Sequence, residues 1–210
     1  MDAIGPRILI TGFGPFPGAP VNPSAALARL LVRPGKSARE LLVLPTTWAQ
    51  ARGFGEELER RQPDIVLMIG LAARRRALCV ETRAVNHAGG FPDVRRRRPA
   101  SRALRRFGPR EIACAAAPVP LVHALRQAGL PARVSRDAGR YICNALAFEA
   151  YGWAARDSGR LAIFVHIPSP RSALPRARMA HGMAALLKTL EAQFAARQRA
   201  SRGPMAASER

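Results

Sequence analysis

Leu130-Pro131-Ala132-Arg133-Val134-Ser135-Arg136-Asp137-Ala138-Gly139-Arg140-Tyr141-Ile142-Cys143-Asn144 is the stretch on which the reading of this chain turns. Leu130 to Val134 reads as a short strand. A polar turn follows, and beyond it Ala145, Leu146, Phe148, Ala150 and Trp153 recur at helical spacing. Cys143 therefore falls at a strand-to-helix junction. The unpaired N–H groups at a helix start carry partial positive charge, which lowers a thiol's pKa and favours the attacking thiolate. The same groups can hold the oxyanion that attack on a carbonyl creates. Taken alone, a cysteine reads first as a small buried hydrophobe. Two other segments decide the matter.

Leu161-Ala162-Ile163-Phe164-Val165-His166-Ile167-Pro168 reads as a buried strand that Pro168 stops, with His166 near its carboxyl end. Ligand sites of open α/β sheets gather at that end, so His166 is placed as a general base for a helix-opening cysteine. In Leu78-Cys79-Val80-Glu81-Thr82-Arg83-Ala84-Val85-Asn86, Glu81 sits between strand-like flanks, where an unpaired carboxylate is costly to bury. It is either a strand-edge glutamate or the group that orients an imidazole and stabilises its protonated form.

Working outward, further strands are expected over Arg7 to Thr11, Glu40 to Leu44, Ile65 to Gly70 and Arg133 to Ser135, with one strand spanning Leu78 to Val85. Helices are expected from Pro23 to Leu31 (capped by Asn22, with proline in the first turn), from Trp48 to Arg61, Pro118 to Ala128, Asn144 to Ala155 and Ser172 to Arg197. This alternation predicts an α/β protein, a single-domain α/β/α sandwich whose mostly parallel sheet is covered by helices on both faces. Residues 1–198 form the expected catalytic domain, and residues 199–210 a disordered basic tail.

The chain has 210 residues, and 48% hydrophobic content suffices for a core. Its three cysteines are widely spaced with no CxxC pair, which argues against a disulfide framework or a zinc site. The sequence shows no signal peptide and no apolar run of membrane-span length, so a cytoplasmic location is expected. A net charge of +20 invites a nucleic-acid reading, with Arg74-Arg75-Arg76, Arg95-Arg96-Arg97-Arg98 and Arg105-Arg106 as its support. The runs lie in expected loops, and the aromatic residues do not interleave with them, so no base-stacking platform results. Weak, salt-sensitive adhesion to polyanions is expected instead of a specific nucleic-acid partner.

Taken together, these features resemble the pyroglutamyl peptidases (pyrrolidone-carboxylate peptidases), cysteine exopeptidases that remove an N-terminal pyroglutamyl residue. The resemblance runs from Arg7 to about Leu190. It is carried by the cysteine segment, by Thr11-Gly12-Phe13-Gly14-Pro15-Phe16 and by Asn22-Pro23-Ser24. It implies Cys143 as nucleophile, His166 as base and Glu81 as orienting acid, a triad in an order unlike that of papain-like enzymes. It further implies that Phe13 and Phe16 sandwich the lactam ring, that Asn22 supports the pocket while capping its helix, and that Leu71 contacts the ring through its backbone. Peptides with N-terminal pyroglutamate are the implied partners. A homo-oligomer is implied by tetrameric relatives, and neither metal nor cofactor is needed.

The chain departs from the family pattern around the acid, with Cys79 and Thr82 where a hydroxyl and a basic residue are usual, and Gly14 replaces a common glutamate. Its loop from His87 to Asp93 is shorter and lacks an arginine found near the active site elsewhere. Two rival readings stay open: a cysteine hydrolase of another small acyl or lactam group, and a non-enzymatic arginine-rich polyanion binder.

Overall fold

The computed structural model describes residues 5–16, 20–32, 37–169 and 174–201. The three most apolar runs become its central strands: β1 (Ile8–Phe13), β3 (Ile65–Leu71) and β8 (Leu161–Ile167), buried on both faces for almost their whole length. With β2 (Arg39–Leu44), β4 (Leu78–Glu81) and β7 (Ala132–Ser135) they form a six-stranded sheet in the order β2-β1-β3-β8-β4-β7. Every neighbouring pair is parallel except β4 and β8. The exception has a physical cause. Only six residues separate Leu71 from Leu78, too few for the helical crossover that a parallel return requires. The chain turns back, and β8 later inserts between β3 and β4.

Helices α1 (Pro23–Leu31), α4 (Pro118–Gln127) and α6 (Arg176–Ser201) cover one face through a core that includes Leu27, Leu121 and Leu186. Helices α2 (Trp48–Arg52), α3 (Phe54–Arg61) and α5 (Ile142–Ala154) cover the other through Trp48, Phe54, Phe148 and Trp153. Fully burying each such side chain contributes about 1.5–3 kcal/mol, so the alternating pattern specifies the sandwich the sequence predicts.

Several elements differ from expectation. The single helix over Trp48 to Arg61 breaks at Gly53, which closes α2 and opens α3. The strand over Leu78 to Val85 divides at Thr82, whose N–H donates to the Ser135 carbonyl and whose own carbonyl accepts from the Cys114 N–H. Beyond it, β5 (Arg83–Val85) leaves the main sheet and pairs antiparallel with β6 (Glu111–Ala113), a strand too short and polar for its sequence to announce. Helix α5 starts at Ile142, two residues earlier than expected. Helix α6 continues through Ser201, while Ser172 and the tail from residue 202 onward lie outside the described residues.

Candidate active site

Strand periodicity brings the site together. Successive side chains of a strand point to opposite faces. Phe13 lies on the face of Leu9, Gly70 on that of Val66 and Met68, His166 on that of Ala162 and Phe164, and Glu81 two residues from Cys79. All belong to the face covered by α5. In register, Gly70 pairs with His166, Cys79 with His166 and Glu81 with Phe164. Glu81 and His166 are thus diagonal neighbours on one face of an antiparallel pair, within reach of each other. His166 Nδ1 lies 2.7 Å from Glu81 Oε1. With Nδ1–H donating to the carboxylate, Nε2 keeps its lone pair free to accept a proton. Because β4 runs against β8, Glu81 is drawn into the sheet, where it is fully buried.

Cys143 is the second residue of α5, inside the first turn, where N–H groups lack intrahelical partners. The polar turn that delivers it depends on Gly139, whose φ of 78° favours glycine and whose N–H donates to Asp137 Oδ1. A Cβ added to Gly70 would stand 3.1 Å from Cys143 Sγ and 2.6 Å from the Phe164 ring. The thiol and the imidazole therefore both border Gly70, one from the covering helix and one from the neighbouring strand. The sulfur is closed in by protein although the residue keeps part of its surface open. Burial first, and the Glu81 charge second, push the thiol up to about 12, against the opposing influence of its own backbone N–H and of Arg75. Burial thus works against the charged form of the thiol, and a thiolate requires the proton to be passed on.

The sequence reading missed two supporting residues. Arg75, read there as part of a polyanion-binding run, turns inward. Its Nη1 lies 2.5 Å from Glu81 Oε1, and it also donates to the Asp137 carbonyl and to Ser135 Oγ, at 3.4 Å. It thereby ties the acid to the turn that delivers Cys143. Glu81 Oε2 has no hydrogen-bond partner among the described residues. Tyr151, on α5, places its hydroxyl between paired β4 and β8 residues, donating to the Glu81 carbonyl at 2.7 Å and accepting from the Phe164 N–H at 3.1 Å. No local pattern reveals either role, since each depends on strands distant in sequence.

The expected substrate-binding residues separate. Phe16 lines a cavity of about 650 Å³, together with Arg74, Arg75, Phe91 and Tyr141. Phe13 is buried and does not line it; its ring lies 6.5 Å from that of Phe164, which is 4.8 Å from the His166 ring. Asn22 caps α1: its Oδ1 accepts from the Ser24 N–H and hydroxyl, and its Nδ2 donates to the Gly14 carbonyl. Leu71 shares the Ile69 face of β3, opposite the site, so only its backbone is available there. The cavity borders the chemistry through Arg75, which holds Glu81, and through Tyr141, two residues before Cys143. The loop from His87 to Asp93 is knotted by Asp93, which accepts from the N–H groups of Trp48, Arg95 and Arg97. That knot explains why the longest arginine run sits on a turn and forms no helix-borne stripe. Among the described residues no His/Cys/Asp/Glu group suits a metal ion, and no helix is long and apolar enough to cross a membrane.

An α/β/α sandwich with a thiol in a helix's first turn, beside an imidazole held by a buried carboxylate, is the layout of a cysteine hydrolase. The chain belongs to the pyroglutamyl peptidase family, whose sequence profile matches residues 6–197. It is 34% identical over 166 residues to the pyrrolidone-carboxylate peptidase of Streptococcus suis (strain 05ZYH33), covering 77% of each chain. With the pyrrolidone-carboxylate peptidase of Streptomyces coelicolor it shares 33% identity over 194 residues, 86% of this chain and 90% of the relative. Among solved structures it superposes on pyroglutamyl peptidase I from Bacillus amyloliquefaciens with a TM-score of 0.79 at 27% identity, covering 89% of this chain and 97% of that one.

Proposed function

We propose that this protein is a cysteine exopeptidase that removes N-terminal pyroglutamate from peptides through a thioester formed on Cys143. The observation that carries the reading is the convergence on Gly70 of Cys143 and the Glu81-held His166. The lactam ring carries no charge, so an apolar slot at the Phe16 and Tyr141 end of the cavity suffices to hold it. Leu71 contributes its backbone there, and Asn22 fixes, through Gly14, the segment that leads from Phe13 at the end of β1 to Phe16.

As the sulfur attacks the carbonyl that follows the lactam, His166 Nε2 takes the thiol proton. A carbon–sulfur bond forms, and the carbonyl π pair moves to oxygen, where first-turn N–H groups of α5, beginning with that of Cys143, receive it. Collapse of the intermediate breaks the carbon–nitrogen bond, and His166 returns its proton to the departing amine. Water, deprotonated by His166, then attacks the thioester carbonyl; the carbon–sulfur bond breaks, the acid is released, and His166 returns the proton to the sulfur. Throughout, Glu81 holds the imidazole in one tautomer and stabilises its protonated form. Cytoplasmic residence and a homo-oligomeric state, testable by fractionation and light scattering, belong to the same reading.

The test is hydrolysis of pyroglutamyl-aminomethylcoumarin beside the prolyl and alanyl analogues. A strong preference in kcat/KM for the lactam is expected. Equal rates on proline would leave a cysteine hydrolase of another small acyl group, and no hydrolysis of any of the three would overturn the enzymatic reading.

A further inference from the structure

The cavity of about 650 Å³ is several times larger than a five-membered ring, so most of it is left for the rest of the peptide. We infer that this outer part is a subsite for an acidic residue directly after the pyroglutamyl group, with Arg74 as its recognising cation. The inference rests on the pyroglutamyl-peptidase reading and names the substrate class within it.

The tight turn after β3, closed by the Arg75 N–H on the Ala72 carbonyl, sends its two cavity-lining arginines to different tasks. Arg75 is committed to Glu81. Arg74 is exposed on the cavity wall, and among the described residues its side chain has no hydrogen-bond or ion-pair partner. Arg98, bonded to the carbonyl of Gly90 directly before the cavity-lining Phe91, adds a second positive charge on the neighbouring loop. The carboxylates nearby are all engaged. Glu81 is held by Arg75 and His166, Asp93 by three backbone N–H groups, and Asp137 accepts from Gly139. Hydrogen bonding leaves Asp93 and Asp137 charged, but Asp93 is buried in its own turn and Asp137 is tied to the Gly139 N–H, so a carboxylate arriving at the wall meets Arg74 without a competing ion pair. A pyroglutamyl peptide has no α-ammonium that would be repelled, so these positive charges cost the substrate nothing at its blocked end. Phe91, 70% exposed on the same cavity, supplies apolar surface for the stem of an aspartyl or glutamyl side chain.

The experiment compares kcat/KM for pyroglutamyl-aspartyl-alanine amide, pyroglutamyl-alanyl-alanine amide and pyroglutamyl-lysyl-alanine amide, at about 20 and about 300 mM salt. For the wild-type protein at low salt the aspartyl peptide is expected to exceed the alanyl one by about three- to fivefold, the range of an exposed ion pair. The lysyl peptide falls below both, and the spread narrows at high salt. Arg74→Gln should reduce the aspartyl-to-alanyl ratio to below about twofold, and Arg74→Glu should place the lysyl peptide first. A wild-type protein that does not discriminate, or ratios unchanged in both variants, would overturn the subsite. Failure to cleave the alanyl peptide at all would instead remove the pyroglutamyl reading beneath it, so the two failures are told apart by the neutral substrate.

Discussion

Arg75 and His166 meet at a single carboxylate oxygen: Nη1 of the first lies 2.5 Å, and Nδ1 of the second 2.7 Å, from Oε1 of Glu81. The buried acid thus carries a permanent counter-ion besides the imidazole. Arg75 already offsets the charge of Glu81, so the imidazole is not the carboxylate's sole partner. A buried ion pair of this kind contributes little to stability by itself. Its value lies in the charge it sets beside the reacting proton.

That arrangement has a signed pH consequence. The groups facing the Glu81 and His166 pair are Arg75 from the turn after β3, Cys79 across the strand pair, and Cys143 and Tyr151 from α5. The Arg75 charge opposes the upward push of burial on the Cys143 thiol, so removing it raises the proton affinity at the reacting sulfur. Arg75→Gln should therefore move the acid limb of kcat/KM to higher pH by about one unit or more, whereas Arg75→Lys should largely restore its position. A limb that stays put while kcat falls would mean that Arg75 only braces the loop.

Thiol chemistry should single out Cys143. Cys79 is fully buried, and burial pushes the Cys114 thiol up to about 11. Cys143, itself pushed up to about 12, depends on His166 to become a thiolate. Iodoacetamide should label Cys143 first, and His166→Ala should slow that labelling by about 100-fold. Cys143→Ala should nearly abolish hydrolysis, while Cys79→Ser and Cys114→Ser keep it apart from stability effects. Mass mapping with Cys79 or Cys114 modified ahead of Cys143 would remove the nucleophile assignment.

Gly70 leaves the space where thiol and imidazole approach. Gly70→Ala places a methyl group 2.6 Å from Phe164 Cζ and 3.1 Å from Cys143 Sγ. The overpacking should cost about 1–3 kcal/mol of stability. Displacement of the reacting groups should lower kcat by about 100-fold. Urea unfolding and steady-state kinetics on the same variant separate the two effects, and full activity in the Gly70→Ala protein would refute the convergence.

Tyr151→Phe deletes the hydroxyl between the Glu81 carbonyl and the Phe164 N–H. Both backbone groups would be left unpaired in the core, at a cost of about 1–3 kcal/mol each before relaxation. A midpoint shift in urea without a change in slope is the expected signature. An unchanged midpoint would show that the two strands close the gap by themselves.

Much of the fold was legible in the residues because apolar periodicity is a local property. The runs at Ile8, Ile65 and Leu161, the Asn22-Pro23 helix start and the cysteine before a helical stripe each read correctly within a few residues. The breaks at Gly53 and Thr82 escaped, since a helix interrupted by one glycine and a strand that changes sheets keep their periodicity. The polar strand β6 escaped because it has little apolar pattern to show.

By itself the sequence determined the alternation of strands and helices, the buried strand bearing His166 and the helix-opening position of Cys143, because side-chain chemistry and spacing suffice for these. Only the tertiary structure decided that β8 inserts between β3 and β4 and that β4 runs against it. Strand order brings together residues far apart in the chain. From that order follow the diagonal contact of Glu81 with His166, the bridge made by Tyr151 and the division of labour between adjacent arginines. Arg74 and Arg75 look alike in the chain. One faces open solvent on a cavity wall and the other a buried carboxylate, because a turn of six residues faces two environments at once.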